Sequence, residues 1–212
     1  MKIKDIIEVL NEQGWKLLGQ HLKLVGISLL LSIIIALILG IAVTRFPLKK
    51  WLPQVVSFLN TAQGVPSLAV VAIFLPIMGI GVFPAIVALT LYGLLPIARN
   101  TIAGIEGIDP DILEAARGTG MPAGQIFRKV EIPLALPVII AGIQTSAVLI
   151  VGTAAIAQLI GAGGLGRLIF MGISSYKPHI TFLGSLMAAI IAIALDQGIG
   201  FIQRRLTSAY RD

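Results

Sequence analysis

Residues 51–98 read WLPQVVSFLNTAQGVPSLAVVAIFLPIMGIGVFPAIVALTLYGLLPIA, 48 residues without one Asp, Glu, Lys or Arg. As a single helix this run would measure about 72 Å, more than twice the roughly 30 Å hydrocarbon core of a bilayer, so it must cross twice. Met78-Gly79-Ile80-Gly81-Val82-Phe83-Pro84 supplies the turn between the crossings, with two glycines and a proline. Further uncharged runs lie at 24–44, 132–166 and 178–195. The first crosses once. The next has Pro133 and Pro137 at its start and the glycine-rich 161–166 at its end, which leaves 137–160; the last becomes a full span by continuing past Asp196 to Ile202. The expected spans are therefore about 24–44, 54–78, 82–103, 137–160 and 180–202, which describes an all-α polytopic membrane protein with five transmembrane helices.

Composition agrees with this reading. Of 212 residues 57% are hydrophobic and 12% charged, about half the charged fraction of soluble domains. With no cysteine there is no disulfide, thiol nucleophile or Cys-based metal site, and His21 and His179 are too few for a His cluster. The net charge of +6 is scattered between apolar runs, which argues against nucleic acid and for a role in topology. Placing the N-terminus outside and the C-terminus in the cytoplasm puts ten of the sixteen Lys and Arg on inner segments, among them Arg45, Lys49, Lys50, Arg99, Arg128, Lys129, Arg204 and Arg205. Residues 99–136, the longest polar stretch between spans, are then cytoplasmic.

Residues 1–20 form an N-terminal amphipathic segment. Ile3, Ile6, Ile7 and Leu10 recur at helical spacing beside Lys2, Lys4 and Glu8, as an interfacial helix requires, and Trp15 can anchor it at the headgroups. A lead-in helix that orients the first span explains the same pattern. The charged part is too long for a secretory signal. A transmembrane domain over 21–203 and a cytoplasmic tail over 204–212 complete the organisation.

The inner loop at 109–133 is patterned. Asp109-Pro110 reads as an N-cap followed by proline at the first helical position, and Asp111 and Glu114 complement the helix dipole. Ile112, Leu113, Ala115 and Ala116 make an apolar stripe that ends at Gly118 and Gly120. A second short helix begins near Pro122 with Ile126, Phe127 and Val130 on one side; Ile132-Pro133 and Leu136-Pro137 are expected to stop it. Two short helices at a sharp angle make a protruding knob.

These residues carry a family resemblance. Glu114-Ala115-Ala116, three residues, Gly120, nine residues and then Val130-Glu131-Ile132-Pro133 resembles the EAA loop of bacterial ABC importer permeases, the binding-protein-dependent kind with a methionine-permease-like transmembrane domain. Val130 stands where the family has Ile, and Ile132 where it has Leu. The resemblance runs from about residue 20 to 203. Gln63-Gly64-Val65-Pro66-Ser67-Leu68-Ala69, Leu94-Leu95-Pro96-Ile97-Ala98-Arg99-Asn100-Thr101 and Gly161-Ala162-Gly163-Gly164-Leu165-Gly166 look most like permeases for osmoprotectants such as glycine betaine, carnitine and choline; the last is also like methionine permeases. The resemblance implies a non-catalytic transport subunit in the bacterial plasma membrane, with three protein partners: a cytoplasmic ATPase that binds ATP and Mg, an extracytoplasmic substrate-binding protein, and a second permease subunit, identical or homologous. It makes Glu114 a polar contact to the ATPase, Ala115 and Ala116 sites of close apolar packing, and Gly120 the turn between the short helices, with Val130, Ile132 and Pro133 completing the motif.

Other signals are weaker. Residues 161–166 fit G-x-G-x-x-G, but they follow a membrane span instead of a strand, and no P-loop occurs, so no nucleotide cofactor is expected in this chain. Asn60, Gln63, Ser67, Gln144 and Ser146 are polar residues within spans that either line a pathway or hydrogen-bond between helices. Asp196, the only acid inside a span, reads as a structural ion-pair partner near an interface. Tyr92, Trp51, Phe74 and Phe83 are explained by interface anchoring better than by an aromatic cage. A methionine or other amino-acid permease is the alternative within the family; an ion-coupled secondary transporter or channel is the alternative from another class.

Overall fold

The computed structural model describes residues 9–45 and 47–208. Every regular element among them is helical. The residues Ile3, Ile6 and Ile7 of the expected amphipathic segment lie outside the described residues. Leu10 opens a π-helical turn, Leu10–Gly14, that runs into α1 (Trp15–Val43). α2 (Leu52–Gln63), α3 (Ser67–Ile73) and α4 (Leu75–Met78) follow, then α5 (Val82–Glu106) and the short helices α6 (Pro110–Gly118) and α7 (Ala123–Ile126). α8 (Ile132–Ile156), α9 (Gly166–Ser174) and α10 (Pro178–Ser208) complete the described chain.

Four helices are long and apolar enough to cross a bilayer, at Leu10–Val43, Val82–Glu106, Ala123–Ile160 and Pro178–Leu206; the bent pair Leu48–Gln63 and Ser67–Met78 makes a fifth when counted as one span. The expected count of five is therefore met only with a broken second span. α2 stops at Gln63 and α3 restarts at Ser67, because Pro66 takes an extended ψ of 133° and cannot donate a helical hydrogen bond.

A second correction concerns the prolines at 133 and 137. They do not stop a helix. The chain stays helical from Ala123 to Ile160, through a π-helical turn at Phe127–Glu131, with Pro133 at the second position of α8 and Pro137 inside it. Each proline leaves a carbonyl one turn earlier without its usual donor. In a membrane such breaks are tolerated because neighbouring side chains and local π geometry re-satisfy the backbone. Beside these breaks the Gln203 amide donates to the carbonyl of Pro137 itself at 2.9 Å, and the Asn100 amide to that of Pro96 within α5 at 2.9 Å. After the glycine-rich 161–166 comes α9, a nine-residue helix in a stretch for which the sequence pattern predicts no element.

The chain divides into two compact units, 1–32 with 65–93 and 147–196, and 33–64 with 94–146 and 197–212. In the first unit Leu24, Val25, Leu89, Ile150, Val151, Leu165 and Leu168 are buried together. Ser32 Oγ donates to the carbonyls of Ser28 (2.7 Å) and Thr90 (2.9 Å), so the hydroxyl is spent inside the helix packing. The glycine-rich turn is fastened to α1: Gly164 N–H donates to Gln20 Oε1 at 3.1 Å, and a Cβ on Gly164 would stand 3.1 Å from His21 Nδ1 and 3.3 Å from its Cα. The glycines of the apparent cofactor motif are thus there for close approach of backbones, with Gly161, Gly163 and Gly164 all at positive φ. Phe182, Leu186, Ile190 and Ile193 form an exposed apolar stripe on α10, as lipid or another membrane helix would require.

In the second unit Ile105, Ala135 and Ile139 pack with Leu37, Ile41 and Ile143. Small residues let these helices approach. A Cβ on Gly142 would lie 2.7 Å from Asn100 Cβ, and one on Gly40 would lie 2.8 Å from Thr101 Cβ, the packing expected of helices that associate without a hydrophobic driving force.

Candidate functional site

α6 begins as its sequence dictates. Asp109 Oδ1 accepts the Asp111 N–H at 2.9 Å, Pro110 occupies the first turn, and Asp111 and Arg117 sit at the ends where the helix dipole favours them. It ends as a glycine-terminated helix: Gly120 N–H donates to the Arg117 carbonyl (2.9 Å), and Met121 N–H to the Ala116 carbonyl (3.4 Å). Gly120 has φ +81°, a conformation that costs a side-chain-bearing residue about 1–2 kcal/mol.

The two alanines of the motif do not share a face. Ala116 is buried and Leu113 half-buried, whereas Glu114, Ala115 and Ile112 are exposed. Ile112 is 43% exposed, so the free face of α6 joins an apolar side chain, a small residue and a carboxylate. Val130, Ile132 and Pro133 are half-buried and belong to the stem beneath the knob.

Charges fasten that stem. Glu131, at the end of the π turn, is buried and receives a two-pronged ion pair from Arg45, with Nη1 to Oε1 at 3.2 Å and Nη2 to Oε2. The Arg45 guanidinium also stands over the Phe127 ring, 4.7 Å from its centroid. Lys49 Nζ reaches Glu106 Oε1 at 3.0 Å. A cavity of about 340 Å³ lies among these groups, and Pro110, Leu113 and Arg117 of α6 form part of its wall. One ion pair thus joins Arg45, just after α1, to Glu131, just before α8, and the other joins Lys49, before α2, to Glu106 at the end of α5; α6 borders the cavity between them without taking part in either pair.

The polar span residues fall in both units. Asn60 is exposed and Gln63 half-buried; Gln63 Oε1 accepts from Arg99 Nη1 at 3.3 Å. Gln144 is half-buried and Ser146 wholly buried, all within the second unit, whereas Ser67 is half-buried in the first. Ser146 therefore belongs to helix packing.

Residues 27–212 match the model of the family described as the binding-protein-dependent transport system inner membrane component. The chain belongs to this family. It is a permease subunit of an ABC importer, a transport component and not a catalyst, and a multi-pass protein of the bacterial inner membrane. The permease is 42% identical over 208 residues to the glycine betaine/carnitine/choline transport system permease protein OpuCB of Bacillus subtilis strain 168, covering 97% of this chain and 95% of that one. It is 41% identical to the choline transport system permease protein OpuBB of the same organism, covering 96% and 94%. Among solved structures, the inward-facing MetNI methionine ABC transporter matches with a TM-score of 0.81 at 25% identity, covering 98% of this chain and 100% of that one.

Sequence reasoning missed the Arg45–Glu131 pair. The partners are 86 residues apart, and Arg45 reads as one more topology charge. One signal pointed to Glu131: a lone acid between Val130 and Ile132, at the edge of an uncharged run, needs a partner.

Proposed function

We propose that this permease forms part of the membrane pathway for a small compatible solute of the glycine betaine, carnitine and choline type, and that residues 109–133 couple it to a separate cytoplasmic ATPase, which binds ATP and Mg. The free face of α6 carries this reading: Ile112, Glu114 and Ala115 are exposed on a firmly capped helix outside the membrane spans, while Ala116 and Leu113 turn inward. A rigid helix that leaves an apolar residue, a small one and an acid uncovered suits insertion into a cleft of a partner. Glu114 is then the polar contact and Ala115 the point of close approach, while Gly120 holds the knob's turn. Ala116, Val130, Ile132 and Pro133 act from beneath, by packing.

Asn60, Gln63 and Gln144 are the candidates for the pathway. A second permease subunit completes that pathway, and an extracytoplasmic binding protein delivers the solute. The N-terminus faces outward and the C-terminus the cytoplasm, which keeps 109–133 on the ATPase side. Osmoprotectants are favoured over methionine because the relatives named for them are 41–42% identical, against 25% for the methionine transporter.

The test is uptake into proteoliposomes holding the permease, its ATPase and its binding protein, with radiolabelled betaine, carnitine, choline and methionine. ATP-dependent uptake of the first three, abolished by Glu114→Lys or Gly120→Trp while the complex stays in the membrane, is expected. Normal uptake by Gly120→Trp would remove the coupling role. Uptake that survives ATP depletion and follows an ion gradient would make the protein a secondary transporter.

A further inference from the structure

A groove of about 510 Å³ in the first unit is lined by α1, the start of α5 and the glycine-rich turn. Two exposed cations, Lys23 and Arg167, stand on its rim, and no acidic residue is among those lining it. Neither cation makes an ion pair among the described residues. Gln20 also lines it; its Oε1 is occupied by Gly164 N–H, which leaves its NH₂ to donate. Gln158 contributes a buried side-chain Oε1 without a hydrogen-bond partner. The floor is apolar, formed by Leu24, Ile27, Val82 and Ile86.

The depth of this groove follows from the chain. Between Lys23 and Arg45 no residue is charged, and those 21 residues span about 32 Å as helix, the thickness of the hydrocarbon core. Lys23 therefore marks one edge of the hydrocarbon. Ile27, 46% exposed, lies one turn inside that edge, and Leu30 and Leu31 continue as exposed apolar side chains. The rim thus stands at headgroup level and the floor at the level of acyl chains.

We propose that this groove binds an anionic glycerophospholipid whose headgroup carries hydroxyls. Its phosphate lies between Lys23 and Arg167, a headgroup hydroxyl donates to Gln158, and an acyl chain runs down over Leu24, Ile27 and Val82. A zwitterionic phospholipid would bring its own cation against Lys23 and Arg167 and is disfavoured. An acidic protein surface would satisfy the two cations but could not reach a floor at acyl depth.

The test is native mass spectrometry of the intact permease in detergent, titrated with phosphatidylglycerol or phosphatidylcholine of equal chain length. The expected result is retention of phosphatidylglycerol about tenfold over phosphatidylcholine. Lys23→Gln and Arg167→Gln should each weaken it about fivefold, consistent with the usual strength of a basic side chain at an anionic membrane surface, and the double variant about twentyfold. Lys16→Gln, an exposed cation of the same helix that does not line the groove, should change nothing. Equal retention of phosphatidylglycerol by the parent and the double variant would overturn the proposal. So would displacement of the lipid by millimolar glycerol phosphate, which would make the groove a free-anion site. Loss of binding-protein capture in the double variant with lipid retention intact would assign the surface to a protein partner and overturn it as well.

Discussion

Residues 109–131 hold their shape with carboxylates, a guanidinium and caps, whereas residues 160–166 hold theirs by packing their glycines too close to neighbouring side chains and backbone for an added Cβ. In the first segment the groups that matter are Asp109, Glu131 and Arg45, and Gly120 has open space where a Cβ would go. In the second, a Cβ on Gly161 would meet Ile80 Cγ2 at 2.6 Å, and one on Gly163 would meet Gln20 Oε1 at 2.7 Å. The difference teaches where each segment is vulnerable. A charge-held segment should fail on neutralisation and tolerate added volume except at Gly120, where the positive φ and not a clash penalises a side chain. A contact-held one should do the reverse.

The largest expected effect falls on the contact-held segment. A Cβ on Gly166 would collide with the Ala155 carbonyl oxygen, and Gln158 Cβ lies only 2.9 Å away, so backbone must move. Gly166→Val is expected to cost about 3 kcal/mol or more, seen as a lower unfolding temperature in detergent and poor accumulation in the membrane. Gly166→Ala with the parent's stability would break the close-packing side of the comparison.

Next comes the charge-held segment. Glu131→Gln removes the carboxylate beneath Arg45 and is expected to cost about 2 kcal/mol, less than the 3–5 kcal/mol of a wholly buried pair because the Arg45 side chain is 38% exposed. Pairing it with Arg45→Met should recover part of the loss, since no orphaned charge remains. A single variant that unfolds at the parent's temperature would mean the pair holds nothing. Asp109→Ala should cost about 1 kcal/mol through loss of the cap and Asp109→Asn only a few tenths; faster amide exchange at Asp111 and Ile112 in the alanine variant checks this. The smallest effect belongs to Gln63→Ala, which removes an exposed 3.3 Å hydrogen bond from Arg99. It should stay within about 0.5 kcal/mol, and a larger loss would mean that the break after α2 depends on Arg99.

The same contrast explains what could be read from the sequence. Span count, the start of α6 at Pro110 and its end at Gly118 were legible because they depend on neighbours in the chain: uncharged runs, a cap, a proline and a glycine. The run through Pro133 and Pro137 was not, since it passes through a π turn that no local residue signal announces. The exposed position of Glu114 agrees with the motif, but the inward turn of Ala116 follows from which side of α6 packs down. Likewise, Ser146 and Gln144 look alike in the sequence, and only packing separates the wholly buried hydroxyl from the half-buried amide.

The π-helical turn at Phe127–Glu131 has a consequence for how this loop can change in length. Nine residues separate Gly120 from Val130, and the turn that closes the interval winds more residues per repeat than an α-helix. Such a turn takes up one extra residue, so removing one would let it relax to α geometry with what precedes it nearly in phase, at the cost of drawing Phe127 from the guanidinium it now faces. The interval therefore has one residue of slack: a deletion within the π turn can be absorbed, whereas a residue added to or removed from the α-helical part re-aims the whole knob by about 100°.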